Sequence, residues 1–329
     1  MAKKKKKIPA FLVGLWSLNI VGALVFFLWI GNPFHSSPKV APVEETISAT
    51  PTATLKMAPL EIFALPTVYL LPSVTPNPNS TAIVGTTPTA FSIDLSKKRA
   101  TTIGYSVAGR PLEIYRFGTG PDERLIVAGI HGGNEWNTIA LADELIAYLE
   151  ENPDVVPKDV SLYILRALNP DGYERARGYE GRVNDHGVDL NHNFPYHWKE
   201  NWNRDGCWDY LPTTGGTHPG SEPETIALMN FVSLHDFSAL ISYHSAALGI
   251  FAGGVPPFEP SERLAQALSD VSFYAYPPYN TGCEYSGNLT DWASSVKDIP
   301  AVDIELKNHR DTDFDNNIRV LKAFLTWQR

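Results

Sequence analysis

Four residues of this chain have the types and positions to do chemistry together. His131 and Glu135 follow the apolar run at 124–130, His244 follows the run at 238–243, and Glu305 follows the run at 301–304. Taken singly, each has an ordinary explanation: a histidine at a strand end is commonly a polar rim residue, and a lone glutamate a solvated or ion-paired carboxylate. Taken together, two imidazoles and one carboxylate are the ligand set of a catalytic zinc site that keeps one position open. A second carboxylate close by can take the proton from a water activated there. The expectation is therefore one Zn2+ per chain, held by His131, His244 and one of the two glutamates, Glu135 or Glu305, with the other glutamate as the base. Gly132 and Gly133 let the backbone approach a metal or substrate closely.

The elements that must position these residues are legible from periodicity. Runs at 112–118, 124–130, 161–168, 238–244 and 301–306 read as strands, and the second is apolar enough to be buried on both faces. Residues 136–151 and 314–327 carry helical spacing. A helix over 223–234 is expected to open at Ser221, with Glu224 as its capping-box partner. Strands alternating with helices predict a three-layer α/β/α sandwich around a mixed, mostly parallel sheet. In such a fold ligands sit beyond the carboxyl ends of the strands, where the four residues fall.

From Gly104 onward the chain resembles the zinc metallocarboxypeptidase (carboxypeptidase A-like) family. The resemblance rests on seven short segments in order. They begin at Gly104, Gly129 (GIHGGNEW), Asn169 (NPDGY), Gly187 (GVDLNHNF), Ser221 (SEPET), Tyr243 (YHS) and Asp303 (DIEL). It implies His131, Glu135 and His244 as zinc ligands and Glu305 as the base that also protonates the leaving amine. It implies Arg182 as the stabiliser of the oxyanion and Asp189 as the carboxylate that orients His131, although Asx turns are an equally good local explanation of Asp189 and Asn191. Asn191 would help hold a substrate carboxylate. His192 stands where the family has an arginine, and an imidazole lacks both the permanent charge and the paired donors of a guanidinium. His131 and Glu135 are four residues apart rather than the family's three. Glu135 is preferred to Asn134 as ligand because an amide binds zinc poorly. Counting back from Glu305 puts Cys283 at the family's substrate-capping tyrosine, so Tyr285 or Tyr279 is expected to take that place.

The rest of the chain is organised around this unit. Residues 1–7 include the basic block Lys3 to Lys7. Residues 8–31 are an apolar run long enough for a single transmembrane helix. Residues 32–96 form a Pro/Thr/Ser-rich linker, and 97–329 the catalytic domain. The basic block predicts a cytoplasmic N-terminus and an extracytoplasmic catalytic domain. A cleaved signal peptide is the competing reading of the apolar run. Net charge is −9 despite the lysine block, so the body is acidic and no nucleic-acid partner is expected. Cys207 and Cys283 are the two cysteines. They form no CxxC motif, and could pair outside the cytoplasm.

These features point to hydrolysis of peptide-type amides outside the cytoplasm, on a peptide or cell-wall peptide substrate. A muropeptide amidase, or an esterase or deacylase on the same site, is an alternative. So is an ectodomain that only binds peptide or glycan.

Overall fold

The computed structural model describes residues 100–207, 213–247, 249–280 and 282–329. The basic tail, the apolar run at 8–31 and the linker at 32–96 lie outside the described residues. Among the described residues no helix is long and apolar enough to cross a membrane.

Among the described residues seven strands form one sheet: β1 (Ala100–Tyr105), β2 (Pro111–Gly118), β3 (Asp122–Val127), β4 (Val160–Leu165), β5 (Phe237–Ser245), β6 (Gly249–Ala252) and β7 (Ala301–Leu306). Their order is β1-β2-β4-β3-β5-β7-β6. The central four, β4, β3, β5 and β7, run parallel, whereas β1, β2 and β6 join the flanks antiparallel. The sheet is thus mixed, with parallel pairing confined to its middle rather than predominant. The edge strand β6 has only four residues, and β1 interrupts its apolar residues with two threonines and a glycine, so periodicity does not announce them.

Among the described residues there are six α-helices: α1 (Trp136–Glu151), α2 (Pro170–Arg175), α3 (Pro223–Ser233), α4 (Glu259–Ser269), α5 (Leu289–Lys297) and α6 (Phe314–Thr326). Successive residues of a strand face opposite sides, and β3 shows it: Leu125 and Val127 pack in one apolar cluster, Ile126 and Ala128 in the other. The Ile126 side is covered by α1, α4 and α6 through Leu145, Leu264 and Phe324. The Leu125 side is covered by α3 and α5 through Leu228 and Trp292. Two apolar layers against one sheet give the three-layer sandwich.

Two local expectations are corrected. The strand expected at 124–130 ends at Val127. Ala128 still donates to Leu165 O (3.0 Å), and Asn169 N donates to Gly129 O (2.8 Å), so 128–130 bend away from β3 rather than continue it. The helix expected over 223–234 spans Pro223–Ser233, but Glu222 rather than Ser221 holds the cap position and no side chain caps it. Glu224 is buried and accepts from Val107 N (3.0 Å) and Asn184 Nδ2 (3.1 Å). Its carboxylate ties α3 to the segment after β1 instead of closing a capping box.

The strand order fixes where a site can form. From β3 the chain moves outward to β4 on one side, and from β5 it moves to β7 on the other. The crevice between β3 and β5 is therefore a topological switch point. His131 lies just beyond β3, His244 near the end of β5, and Glu305 on β7.

Candidate active site

The segment 131–135 is a tight turn. Glu135 N donates to His131 O (3.2 Å), and Gly133 N to Gly181 O (2.8 Å). The turn presses against α2. A Cβ on Gly133 would lie 1.4 Å from Ala176 O, and one on Gly132 2.4 Å from Asn169 O. Only glycine permits that approach. The spacing of four between His131 and Glu135 is absorbed in this turn, and both side chains still point to one place.

His131 Nδ1 is 2.8 Å from Glu135 Oε1. His244 Nδ1 is 3.3 Å from His131 Nδ1 and 3.2 Å from Glu135 Oε2. All three side chains are buried, and one ligand atom from each lies within 4.8 Å of the others, a grouping that could hold a metal ion. The remaining ring nitrogens support that fit. His131 Nε2 faces Asp189 Oδ1 at 3.0 Å, and His244 Nε2 faces Ser242 Oγ at 3.0 Å. An acceptor behind each imidazole places the proton on Nε2 and turns the Nδ1 lone pair inward, as a metal requires. Two imidazoles and a carboxylate are a donor set suited to zinc. Ser245 N adds a hydrogen bond to Glu135 Oε2 (3.0 Å).

Asp189 is fully buried behind His131. Burial alone would push its carboxyl up, but the Arg182 and His131 charges hold it well below the usual carboxylate range. Arg182 donates Nε–H to Asp189 Oδ2 (2.8 Å) and reaches Glu135 Oε1 at 3.4 Å. Its guanidinium is thereby oriented at the wall of the site.

Glu305 is paired in register with His244 across β5 and β7. Ala247 N donates to its Oε2 at 3.0 Å. Burial, with Glu135 adding repulsion, raises its carboxyl to about 7.

His192 is buried, and burial lowers its pKa to about 4 despite Asp189 nearby. Its ring stacks on Trp202, with centroids 3.6 Å apart and planes 6° apart. Its Nδ1 is 3.3 Å from Ser286 Oγ. Asn191 accepts from Leu289 N at 3.1 Å, which fixes its amide with Nδ2 as the donor left for other partners. Cys207 and Cys283 form a disulfide. It joins the loop carrying Trp202 to the loop carrying Tyr285 and Ser286, on both sides of His192. The disulfide is the reason Cys283 cannot serve as a capping residue.

One cavity of about 540 Å³ gathers these groups. Every site residue expected from the sequence lines it except Asp189, which lies behind His131, and Tyr279, which is 69 % exposed and away from the cavity. Tyr285 lines it and is half-exposed. Trp202, Ser242, Ser286 and Asp303 were not singled out from sequence. For Asp303 a signal existed: an acidic residue inside an apolar strand, two positions before Glu305.

The zinc carboxypeptidase family model matches residues 96–324. The chain belongs to the zinc carboxypeptidase family. Human carboxypeptidase N catalytic chain is 30% identical over 241 residues, which is 60% of this chain and 52% of that protein. Murein peptide amidase A of Escherichia coli K12 is 31% identical over 200 residues, 59% of this chain and 75% of that protein. Gamma-D-glutamyl-L-diamino acid endopeptidase 1 of Lysinibacillus sphaericus is 26% identical over 247 residues, 63% and 60% of the two chains. The chain thus spans about half the length of the carboxypeptidase N chain. Among solved structures, bovine thrombin-activatable fibrinolysis inhibitor in complex with tick carboxypeptidase inhibitor superposes with a TM-score of 0.57, at 19% identity, covering 69% of this chain and 88% of that one. The murein-tripeptide amidase of Escherichia coli O157 does so with 0.52, at 23% identity, covering 70% and 92%. Both likenesses are of fold. Zinc is the metal of this family, and the His-Glu-His cluster is a grouping able to bind it.

Proposed function

We propose that this zinc carboxypeptidase-family chain hydrolyses amide bonds of cell-wall peptides outside the cytoplasm. The observation that carries the hydrolytic reading is the placement of Glu305 opposite His244, beside the three-residue cluster and in the same cavity as Arg182. Zinc, when bound by His131, Glu135 and His244, supplies Lewis acidity for activating water and the scissile carbonyl. Glu305 accepts the proton of the attacking water and returns it to the leaving nitrogen. Arg182, oriented by Asp189, donates to the oxyanion that develops on the carbonyl oxygen. Asp189 keeps the proton of His131 on Nε2. Asn191 Nδ2, and Tyr285 from the rim, hold the substrate.

His192 favours a cell-wall peptide over a free protein C-terminus. A neutral imidazole grips a terminal carboxylate less firmly than a guanidinium, and His192 stays neutral above about 4. Two relatives are named for murein peptide and for a γ-D-glutamyl-L-diamino acid bond. Export is supported by the lysine block ahead of the apolar run at 8–31, and by a disulfide, which persists in oxidising compartments. The same run would anchor the chain in the membrane with its N-terminus cytoplasmic.

The test is a screen of the full-length chain on muropeptides and on peptides with free C-termini, with and without a chelator. Chelator-sensitive release from muropeptides is expected. Cleavage confined to free C-terminal peptides would replace the cell-wall reading, and no cleavage of either would remove the hydrolytic one.

A further inference from the structure

We infer that His309 accepts a hydrogen bond from the acylated amino nitrogen of the residue that supplies the scissile carbonyl, so that the site takes N-acylated substrates. The inference rests on the hydrolase reading above and adds a binding contact on the acyl side of that site.

His309 sits in the loop that follows β7, four residues after Glu305. The loop is held by a set of internal bonds. Asn308 Oδ1 accepts from Arg310 N (2.7 Å) and Asp311 N (2.8 Å). Asn137, fully buried in the first turn of α1, donates Nδ2 to Asn308 O (2.7 Å) and to Asp311 O (3.0 Å). One side chain thus clamps both ends of the turn that carries His309, whose ring lines the cavity.

The same clamp sets the polarity of the ring. Asn137 Nδ2 faces two carbonyls, so its Oδ1 is an acceptor and takes the hydroxyl proton of the buried Ser245, at 3.0 Å. A hydroxyl has a single proton to give. The contact between Ser245 Oγ and His309 Nδ1, also 3.0 Å, is therefore donated by the ring. In the uncharged imidazole the other nitrogen, Nε2, then carries a lone pair and no proton. It has no hydrogen-bond partner among the described residues. The relay also rules out Ser245 as a nucleophile activated by His309, because its proton points to Asn137. What the ring offers the cavity is an acceptor, and the complement of an acceptor is an N–H.

The place of the ring selects the side of the substrate. Asn191 is bonded to Leu289 at the start of α5 and holds the departing part. His309 enters from a different wall, made by the start of α1 and the loop after β7. Its partner Ser245 pairs with Leu306 one rung beyond His244 and Glu305. The acyl part of the substrate therefore meets His309, and the donor it carries nearest the carbonyl is its acylated amino group. In an α-linked residue that N–H is on the carbon next to the carbonyl; in a γ-linked residue it is two carbons farther along. Both kinds of substrate present the same donor, and the ligands below tell them apart.

The experiment replaces that N–H by an ester oxygen. Acetyl-alanyl-γ-D-glutamyl-lysine is compared with its 2-hydroxyglutaryl counterpart, and acetyl-alanyl-alanyl-lysine with its lactyl counterpart. Kd is measured on the full-length, zinc-loaded Glu305→Gln variant under mildly basic conditions, and turnover of the two amides on the parent chain. The amide member is expected to bind about five-fold tighter in one or both series, the size of one neutral hydrogen bond. The series with the larger ratio tells a cell-wall-type from a protein-type substrate. Adding His309→Leu should bring the ratio to one while zinc content stays at one equivalent. Adding His309→Gln instead, whose Oε1 can stand in for Nε2, should keep most of it. A ratio that survives His309→Leu, or zinc lost with that substitution, overturns the assignment. Equal binding of amide and ester in both series, or no binding of any of the four, overturns it whether or not the His309 variants fold. Amide-selective binding without turnover of either amide would leave His309 assigned and refute the hydrolase reading; turnover with equal binding would do the reverse.

Discussion

Glu305 and His244 occupy directly opposed positions on the paired parallel strands β7 and β5. The two strands are rigid and buried, so the separation of base and ligand is set by backbone pairing rather than by loop conformation. Glu305→Gln keeps the shape of the side chain and removes its basicity. Zinc content is expected to remain at one equivalent, while kcat falls by roughly 10²- to 10⁴-fold. Elemental analysis and steady-state kinetics on the same preparation check this, and a Gln variant retaining most of its kcat would take Glu305 out of the reaction.

Asp189 acts through His131. Asp189→Ala removes the acceptor at His131 Nε2 and the anchor of Arg182 Nε. Zinc affinity should drop by about 10- to 100-fold, the usual effect of losing such a partner. Titration against a competing chelator reads it. Arg182→Lys, which keeps charge but loses the fork, should lower kcat and leave zinc affinity near the parent value.

His192 predicts a pH dependence of stability. Its pKa falls from 6.5 to about 4 on folding because of burial. Between those values the unfolded chain binds a proton and the folded chain does not. The contribution is therefore complete above 6.5 and is lost as pH falls toward 4, to an extent on the order of 3 kcal/mol. Urea unfolding at several pH values should show a smaller drop for His192→Gln than for the parent. An identical drop in both would mean His192 titrates normally in the fold.

His192→Arg addresses specificity. With a guanidinium in place of the imidazole, cleavage of substrates bearing a free α-carboxylate should improve by about ten-fold in kcat/KM relative to their amidated counterparts. An unchanged ratio would place residue 192 away from that group.

The disulfide spans 76 positions and joins the two loops that bracket His192. Replacing both cysteines by serine should cost roughly 4 kcal/mol in stability by chain entropy. It should also raise KM more than it lowers kcat, because the two loops line the cavity through Trp202 and Tyr285 and carry none of the residues proposed to transfer protons. Denaturant curves and kinetics on the double variant test both parts.

Much of the chemistry was legible before the structure because it sits at the ends of apolar strands. His131, Glu135, His244 and Glu305 each follow such a run, and α1 begins and ends at the residues its periodicity marks. What escaped is instructive. The strands β1 and β6 and the helices α4 and α5 depend on tertiary packing more than on local pattern. Glu224 has the spacing of a capping partner, yet bonds across the fold to Val107 and Asn184. Trp202 reaches His192 from ten residues away through a loop with no regular period. The Cys207–Cys283 pairing needs Cα atoms brought to 4.6 Å, which spacing in the sequence does not reveal. Asp303 stands out in sequence as an acidic residue inside an apolar strand, but that it lines the cavity follows only from the fold.

The metal centre carries the rest, and its most direct test is zinc stoichiometry with anomalous diffraction at the zinc edge from crystals of the full-length chain. One ion per chain is expected, in contact with His131 Nδ1, His244 Nδ1 and the Glu135 carboxylate, and lost in His244→Ala. A chain purified without metal that takes up none, or an ion bound elsewhere while this cluster stays empty, would contradict it.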